Sequence, residues 1–538
     1  MKRRWTRSRL ALVVLVAAYV ASAWWLFVRK TGAEGDGRPT IRIAHWQVER
    51  GPPDGLDAVI KRYEELNPAV NVEQVQVPGP VYLQWLRTNL VGGTGTDIIE
   101  YGTFLAGMQD VPARFFAPIT AELEEPNPYN RGTPLEGVPW RNTFVDGLYN
   151  EQIFAPEIGQ IYSVTLTQVT LRVFCNENLL REIVGDDPDF RFPENFDALR
   201  KLFVRTQEFA RRTGRGVHAI AGARLNAEWT LDMIMNYVLL RKSVELDHEG
   251  LLARFPRNVQ MDYLLGRWNY HQPDVMAALK MVRELTEQMR PGFIQLERDA
   301  AVQEFMRGDA LFVLTGTWDA TSLRQLASFP VGIHRFPQPD ANDPVSGRYY
   351  YGRTADGSGL TAMAMYLNKS TPHRAETIDF MRFMTSVEGG QLFMDHSGWI
   401  SSVRDTRVPA DLVPALGIVD GYSAGGGYMR TGASTAQAFI KNMYKLVGPQ
   451  GSVEGFVEAV DQDMPVAQRA DLETELRNLT NALRPQDAEF MAMRALDRIG
   501  PVSAAITARG DSLETSQTLS EINIYQGLTV LAQTAAKP

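Results

Sequence analysis

The stretch MRGDALFVLTGTWD spans residues 306–319 and carries the clearest fold signal of the chain. A Gly-Asp break separates the end of a helical pattern from a bulky apolar run at residues 310–314. A short apolar run bounded by turn residues is typical of a strand that is buried on both faces of a sheet. We expect Gly316 to let the chain turn after this strand, and Trp318 and Asp319 to lie beyond its carboxyl end.

Strand and helix patterns alternate from residue 40 onward. TIRIAHW alternates apolar and polar side chains, and DGLDAVIKRYEELNP places its apolar residues on one helical face. The strand patterns AVNVEQVQVP and TDIIEYG follow, with the helical pattern VYLQWLRTNLVGG between them. Alternating strands and helices predict βαβ units around a parallel sheet.

The chain is long enough for more than one hydrophobic core. Its 538 residues exceed the size at which single cores stop growing, which predicts two or more domains or a two-lobed unit. From about residue 465 the sequence becomes Ala-rich, helical in pattern and poor in strands. We therefore predict a helical C-terminal extension over residues 465–538.

The charge of the chain is unevenly distributed. The formal net charge is −8, but residues 1–30 hold seven of the 55 basic residues and no acidic residue. The rest of the chain therefore contains 48 basic residues against all 63 acidic ones. Binding to nucleic acid needs clustered Lys and Arg for the phosphates. We see no such cluster and predict no nucleic-acid partner.

The first 30 residues have the pattern of a membrane anchor. Five basic residues precede an apolar run at residues 10–28, and Arg29 and Lys30 close it. A helix of this length nearly spans a hydrocarbon core, and the charge bias predicts a cytoplasmic N-terminus and an extracytoplasmic body. A cleaved signal peptide is the alternative, since residues 21–23 fit a cleavage site. We favour the anchor because cleavage would expose a Trp pair. Residues 31–39 then form a flexible linker.

No sequence motif indicates catalysis. Cys175 is the single cysteine, which excludes an intramolecular disulfide framework and a Cys-based zinc site. The seven histidines form no HExxH or HxH pattern, and GxSxG is absent. VGGTGTD lacks the Lys-Ser/Thr pair of a phosphate loop and precedes a strand instead of a helix. We therefore predict no catalytic residue, no metal site and no cofactor.

Aromatic residues recur just beyond predicted strand ends. Trp46, Tyr101 and Trp318 follow IRIAH, DIIE and ALFVLTGT. In open α/β sheets, ligands bind in the crevice outside the carboxyl ends of the strands. A single aromatic residue in such a position is more often a packing residue. Three of them favour a shared, aromatic-lined cleft.

The order of the motifs resembles that of family 1 extracellular solute-binding proteins of ABC transporters, the maltose- and oligosaccharide-binding group. The resemblance covers residues 40–464 and rests on many short motifs, including TLRVFCNENLL, VGIHRFPQ and NKSTPHRAETIDFMRFMTSVEGGQLF. EFMRGDALFVLTGTW is similar to a family segment in which a glycine precedes an apolar strand and a Gly-X-Trp sequence follows it. The anchor and the C-terminal extension depart from the usual family pattern.

The resemblance implies a type II periplasmic-binding-protein fold. In that α/β fold, two discontinuous lobes are joined by hinge strands, here near residues 163–168 and 334–338. Lobe I would combine residues 40–163 and 339–398. Lobe II would combine residues 169–333 and 399–464.

The resemblance also implies a ligand site between the lobes. Aromatic rings there would stack on the C–H face of a sugar, and planar polar side chains would bond its hydroxyls. Carried over position by position, the candidate ligand-binding residues are Trp46, Tyr101, Gln168, Arg224, Asn226, Trp229, Trp318, Asp319, Tyr351 and Arg353.

The implied function is that of a non-enzymatic, substrate-binding component of an ABC importer. It would bind a carbohydrate by hinge closure and present it to permease subunits, outside the cytoplasm and anchored by residues 10–28. Two alternatives stay open. The first is a membrane-anchored sensory or scaffolding protein on the same fold. The second is an exported glycoside hydrolase, which needs two carboxylates facing each other about 5–9.5 Å apart.

Overall fold

A computed structural model describes most of the chain. The predicted anchor at residues 10–28 lies outside the described residues. Within the described part, no helix combines the length and apolar composition that crossing a bilayer requires. The described residues are 37–48, 50–102, 111–148, 154–155, 160–248, 250, 255–356, 361–418, 431–500 and 504–535.

The strands form two main sheets and one short two-stranded hairpin. They are β1 (Thr40–His45), β2 (Asn71–Gln76), β3 (Ile98–Glu100), β4 (Phe154–Ala155), β5 (Gln160–Ile161), β6 (Ser163–Gln168), β7 (Leu171–Asn176), β8 (His218–Ala221), β9 (Ala310–Gly316), β10 (Val331–His334) and β11 (Thr361–Leu367).

The helices surround the sheets and then extend beyond them. They are α1 (Pro52–Leu66), α2 (Gly79–Gly92), α3 (Val111–Phe115), α4 (Thr120–Leu123), α5 (Glu177–Val184), α6 (Phe196–Thr213), α7 (Arg224–Val238), α8 (Leu240–Glu245), α9 (Pro256–Leu264), α10 (Pro273–Thr286), α11 (Arg298–Met306), α12 (Ala320–Leu326), α13 (Arg374–Met384), α14 (Val387–Ser397), α15 (Ala433–Val447), α16 (Val453–Ile499) and α17 (Ala504–Ala535).

The first sheet is the centre of lobe I and has the strand order β2-β1-β3-β11-β6. β1 pairs in parallel with β2 and β3, whereas β11 pairs antiparallel with β3 and β6. Buried strand residues such as Ile43, Ile98 and Val164 share a core with apolar residues of α1, α2, α13 and α14. The predicted βαβ units are therefore present, but the sheet is mixed and not purely parallel.

The second sheet is the centre of lobe II and has the order β10-β7-β9-β8. β7 pairs antiparallel with β9 and β10, and β8 pairs in parallel with β9. β9 is the strand predicted at residues 310–314. It extends to Gly316, and all seven of its residues are buried. Apolar residues of α5, α6, α7 and α10 cover one face, and residues of α11 and α12 belong to a second cluster that includes Val313.

Local sequence explains where two lobe II helices begin and end. Asn176 precedes α5, and its side chain accepts a hydrogen bond from the Leu179 amide at 3.0 Å. Asn195 caps α6 in the same way, through the Ala198 amide at 2.9 Å. Gly214 follows α6 with a φ of 67°, a left-handed conformation that glycine adopts without strain.

The chain crosses between the lobes beside Arg172, which lies in β7 and is 3% exposed. Its guanidinium donates to the carbonyl oxygens of Pro414 and Leu416 at 2.9 and 2.7 Å. It also donates to both carboxylate oxygens of Asp356, at 3.1 and 2.9 Å. Asp356 in turn accepts from the Ile418 amide. One buried ion pair therefore joins the first crossing to two later segments of the chain.

Two sets of contacts cross the lobe boundaries that the resemblance implies. Asp343 lies in a segment assigned to lobe I, yet its carboxylate pairs with Arg200 of lobe II at 2.6 Å. Residues 400–402 were assigned to lobe II, but they bond to the edge of the lobe I sheet. The backbone N–H of Gln168 donates to the Ile400 carbonyl, and the backbone N–H of Ser402 donates to the Leu166 carbonyl. The outer side of an edge strand has backbone N–H and C=O groups without a neighbouring strand. Residues 400–402 provide hydrogen-bond partners for such groups of β6.

The predicted C-terminal extension is an antiparallel pair of long helices. α16 begins within the segment assigned to lobe II, and Val460 and Met464 lie in the lobe II core. Leu472 then forms a small apolar cluster with Met261 of α9 and Val530 of α17. We call α17 and residues 465–499 of α16 the C-terminal hairpin, and its base is attached to lobe II.

Replacing Arg172 with Ala should destabilise the protein strongly. The change leaves the Asp356 carboxylate and two carbonyl groups without their partner, and breaking a buried ion pair costs about 3–5 kcal/mol. Urea denaturation would measure the free energy of unfolding. Arg307→Ala is the control, because Arg307 pairs with Asp309 at the surface, where a pair contributes at most about 1 kcal/mol. Equal losses in both variants would contradict the importance of the Arg172 cluster.

Candidate functional site

Two tryptophans meet where β9 ends. Trp318 follows β9, Trp229 lies on α7, and their ring centroids are 5.4 Å apart with an interplanar angle of 70°. Both side chains are partly buried. Trp318 also packs against the lobe I core, although the strand that carries it belongs to lobe II. The Trp229–Trp318 pair therefore lies at the boundary between the lobes.

Gly316 makes room for the indole of Trp318. A Cβ at Gly316 would lie 2.1–2.3 Å from three ring atoms of Trp318. The φ of Gly316 is −79° and its ψ is 159°, an extended conformation open to any residue. The expectation that Gly316 permits a turn was therefore wrong. The glycine is needed because the ring lies directly over its backbone.

Asp319 and Asn226 make hydrogen bonds that fix the backbone segments around the Trp pair. The Asp319 carboxylate accepts from Arg298 at 2.7 Å and from the Thr315 hydroxyl at 2.6 Å. The Asn226 amide donates to the carbonyl of Leu314 at 2.6 Å and ties α7 to the end of β9. Both side chains are buried. The polar side chains of both residues therefore have structural partners inside lobe II.

Trp46 and Tyr101 differ in exposure, although both follow strands of lobe I. Trp46 is partly buried, and its ring meets Tyr82 edge to face at 5.1 Å. Tyr101 is 1% exposed and packs between Phe116 and Tyr366. Tyr101 is therefore a core residue in this conformation, whereas Trp46 presents part of its ring at the carboxyl end of β1.

A buried carboxylate positions the chain at Trp46. The Glu100 side chain accepts from the Trp46 backbone amide at 3.1 Å and from the Gln47 side chain at 2.6 Å. The Tyr82 hydroxyl donates to the Glu100 carbonyl at 2.6 Å. Burial, and then the Glu100 charge, raises the pKa of Tyr82 well above its ordinary value. Tyr82 is therefore a neutral donor that fixes the ring packed against Trp46.

Four further predicted residues lie apart from the Trp pair or have other partners. Gln168 donates to the Ser401 carbonyl at 2.8 Å and secures the first crossing. Arg224 is exposed and pairs with Glu297 at 3.4 Å.

Tyr351 and Arg353 are exposed in the loop before β11. The Tyr351 ring lies 5.4 Å from the guanidinium of Arg241, at the start of α8.

The sequence-based prediction missed two polar residues on α7. Asp232 and Asn236 are spaced three and seven residues after Trp229, so all three share one face of the helix. Both are partly buried, and among the described residues nothing donates a hydrogen bond to the Asn236 carbonyl oxygen. The signal was available, because these two residues are polar interruptions in the otherwise apolar segment TLDMIMNYVLL.

α7 runs from the Trp pair towards the hinge. Tyr237, near its end, stacks on Phe336 with centroids 5.9 Å apart. Burial and then the Asp356 charge raise the pKa of Tyr237, while Arg172 opposes them. The Tyr237 side chain is therefore close to the Arg172–Asp356 pair. The polar face of α7 consequently lies between an aromatic pair and the crossing of the chain.

Metal-binding side chains are not grouped at the Trp pair. Within the described ranges, a single group of His, Cys, Asp and Glu side chains is close enough to hold an ion, and it comprises Cys175, Glu177 and His334. In the β7–β9 ladder, Leu171 pairs with Gly316 while Cys175 pairs with Phe312. The group is therefore displaced along the sheet from the Trp pair.

The Gly316→Ala variant should displace the Trp318 ring. The added methyl would overlap the indole, so the ring must leave its position, and overpacking of this kind costs about 1–3 kcal/mol. Tryptophan fluorescence and urea denaturation would detect both effects. Gly216→Ala is the matched control, because nothing lies within 4 Å of a Cβ there. Identical spectra and stabilities for the two variants would contradict the close contact of Gly316 with Trp318.

The fold and the sequence both have known relatives. The family model for bacterial extracellular solute-binding proteins matches residues 50–391. The multiple sugar-binding protein of Streptococcus mutans serotype c is 21% identical over 383 residues, covering 70% of this chain and 79% of that protein. A solved chitin oligosaccharide binding protein aligns with a TM-score of 0.54 and 16% identity, over 81% of this chain and 100% of that one.

Another solved structure supports the same conclusion. The unliganded form of RafE from Streptococcus pneumoniae aligns with a TM-score of 0.53 and 15% identity, over 80% of this chain and 98% of that one. At such identities the alignments establish the fold, which is periplasmic-binding-protein-like with two mixed sheets. The family match covers more than half of the chain and confirms the resemblance seen in the sequence. The chain therefore belongs to the bacterial extracellular solute-binding proteins, a family of binding proteins and not of enzymes.

Proposed function

We propose that this protein is the substrate-binding component of an ABC importer and that it binds a carbohydrate between its lobes, beside the Trp229–Trp318 pair. The observation that carries the proposal is the position of Trp318. It extends from the lobe II sheet and contacts the lobe I core. A ligand that stacks on this pair would touch both lobes.

The chemistry around the pair suits a sugar. The partly exposed indoles offer apolar faces for the C–H groups of a pyranose ring. Asp232 and Asn236, on the same face of α7, offer oxygen acceptors for hydroxyl groups. The similar proteins named above are described as binding multiple sugars and chitin oligosaccharides, which supports the same ligand class here.

We divide the predicted residues into contact and support groups. Trp46, Trp229 and Trp318, with Asp232 and Asn236, are the proposed contacts, and we propose the exposed Tyr351 and Arg353 as rim residues. We assign a supporting role to the others, on the basis of their contacts within the protein. This support group comprises Tyr101, Gln168, Arg224, Asn226 and Asp319.

Binding would act through the relative position of the lobes. The described chain passes from lobe I to lobe II between β6 and β7 and returns before β11. A ligand with more contacts in the closed form shifts the population towards that form. Permease subunits would recognise the closed form. The anchor at residues 10–28 stays a prediction, and it would keep the protein at the outer face of the cytoplasmic membrane.

A membrane-anchored sensory or scaffolding role is the second candidate. The C-terminal hairpin favours it, because Met491, Ile499 and Tyr525 are 64%, 83% and 73% exposed. Exposed apolar surface is typical of protein contacts.

The two roles differ in one measurable respect. Cells that lack the protein lose uptake of its ligand in the first role and retain it in the second.

A thermal-shift screen of sugars, polyols, amino acids and polyamines would test the ligand class. We expect a carbohydrate to stabilise the protein by about 2.7 kcal/mol at 100 times its Kd. Calorimetry should then show at least a tenfold loss of affinity in Trp229→Ala and Trp318→Ala. Tyr444→Ala is the control, because Tyr444 is exposed on α15.

Two outcomes would contradict this proposal. One is stabilisation by an amino acid or a polyamine but by no carbohydrate. The other is an unchanged affinity in Trp318→Ala together with the loss of about 3–5 kcal/mol that is typical of a core tryptophan.

A further inference from the structure

Three side chains of different ligand chemistry converge at the edge of the lobe II sheet. Cys175 lies in β7, Glu177 begins α5 and His334 ends β10. Their sulfur, carboxylate and imidazole ligand atoms all lie within 4.8 Å of one another. β7 and β10 are antiparallel, with Gly332 opposite Cys175 and His334 opposite Val173. Cys175 and His334 therefore project from the same face of the sheet.

Gly332 leaves open the space into which two of these groups point. A Cβ at Gly332 would lie 1.9 Å from Oε1 of Glu177 and 2.8 Å from Nε2 of His334. Gly332 is not among the residues with positive φ, so its conformation does not call for glycine. A side chain there would exclude the carboxylate and the imidazole from their present positions above Cys175.

The separation of the imidazole and carboxylate ligand atoms fits a tetrahedral cation. Nε2 of His334 and Oε1 of Glu177 are 3.3 Å apart. Two ligands bound to one zinc ion at about 2.0–2.1 Å with tetrahedral angles are about 3.4 Å apart. The His334 ring also stacks on Phe192, with centroids 3.6 Å apart and planes within 5°. This stacking holds the imidazole in place before any ion arrives.

We infer that Cys175, Glu177 and His334 form a binding site for a zinc-like divalent cation. A thiolate, an imidazole and a carboxylate together favour a borderline ion such as zinc over magnesium or calcium. Three protein ligands leave a fourth position for water. When the S–Zn bond forms, the thiol proton leaves to solvent. The ion would enter past Glu177 and His334, whose side chains are 30% and 26% exposed.

The proposed site departs from the sequence-based expectation that the chain has no metal site. Sequence spacing does not reveal it, because Glu177 and His334 are 157 positions apart in the chain. It is also separate from the proposed carbohydrate site, since Cys175 pairs with Phe312 and not with the end of β9. A cation here would join the edge strand β10 to β7 and α5.

Cobalt(II) titration of the reduced full-length protein would test the site. We expect one equivalent of cobalt to produce a thiolate-to-metal charge-transfer band that zinc removes. Cys175→Ser should lose the band, and Glu177→Gln and His334→Ala should weaken cobalt binding at least tenfold. His271→Ala is the matched control, because His271 pairs with a carboxylate at the surface without a cysteine nearby.

Circular dichroism would confirm that each variant is folded. Zinc should also raise the melting temperature of the wild-type protein and of His271→Ala, but not that of His334→Ala. The absence of a charge-transfer band in the folded wild-type protein would overturn the inference. Undiminished cobalt binding in His334→Ala would overturn it as well.

A separate observation concerns the far part of the C-terminal hairpin. Arg509 of α17 lies against Gln160 of β5, in lobe I. The Gln160 side-chain amide lies between the Thr120 hydroxyl and the Arg509 guanidinium. We assign its nitrogen to the Thr120 side and its oxygen to the Arg509 side, because only this assignment lets the oxygen accept from Arg509, whose Nε and Nη1 are 3.2 Å away. Glu489 of α16 pairs with Arg509 at 3.2 Å. Burial raises the pKa of the adjacent Tyr162 to about 12, and Arg509 and Glu489 are the charged groups beside it.

We propose that the C-terminal hairpin is a strap between the lobes. Its base is fixed to lobe II through Leu472 and Met261, while Arg509 contacts lobe I. A rotation that moves β5 away from the base of the hairpin would therefore strain or break the contact of Arg509 with Gln160. The strap would favour the relative position in which this contact forms. The proposal rests on the proposed function, because it concerns the lobe motion that binding requires.

Distance measurements between the lobes, without ligand, would test the strap. Spin labels at Val91→Cys and Val204→Cys in a Cys175→Ser background report on lobes I and II, since both valines are exposed. We expect Arg509→Ala to broaden the distance distribution and Arg477→Ala, on the same hairpin, to leave it unchanged. An unchanged distribution in Arg509→Ala would overturn the strap. It would not affect the carbohydrate proposal, because ligand binding is measured separately.

Discussion

The buried ion pair between Arg172 and Asp356 is the constraint on which the rest of the structure depends. Each lobe is built from separate parts of the chain, so the chain must cross between two cores more than once. At this crossing, backbone carbonyls and a carboxylate are buried away from water, and neither β-sheet provides them with hydrogen-bond partners. The Arg172 guanidinium gathers the carbonyls of Pro414 and Leu416 with the Asp356 carboxylate. A planar group with five donors can do this, whereas an ammonium cannot offer the same fork.

The geometry of the proposed binding region depends on that crossing. α7 begins beside the end of β9 and ends near Asp356, so the orientation of its polar face depends on both lobes being correctly joined. Asn226 ties the helix to the strand, and Gly316 gives the Trp318 ring its place over the backbone. The aromatic pair is thus held by buried contacts while its rings remain partly exposed. Such preorganisation reduces the entropy that a ligand must overcome on binding.

The C-terminal hairpin distinguishes this chain from a plain two-lobed binding protein. Its two helices pack closely where Gly527 of α17 faces Leu476 of α16, since a Cβ at Gly527 would lie 2.6 Å from the Leu476 side chain. Further along, polar pairs such as Arg494 with Asp511 replace apolar contacts. Its contacts with the lobes differ in kind, because Leu472 packs against Met261 of lobe II whereas Arg509 makes a polar contact with Gln160 of lobe I. Contacts of the second kind exchange with water more readily, which suits a contact that has to open.

Sequence by itself determined the two-lobed α/β class, the family and the buried strand at residues 310–314, because alternation, apolar runs and motif order are local properties of the chain. It also placed Trp229 and Trp318 in one region. Only the tertiary structure decided which candidates are buried, so that Tyr101 lies in a core while Asp232 and Asn236 share a face with Trp229. It likewise decided the role of Gly316 and the meeting of Cys175 with His334. These outcomes depend on which distant segments pack together, and packing between residues far apart in the chain leaves no local pattern in the sequence.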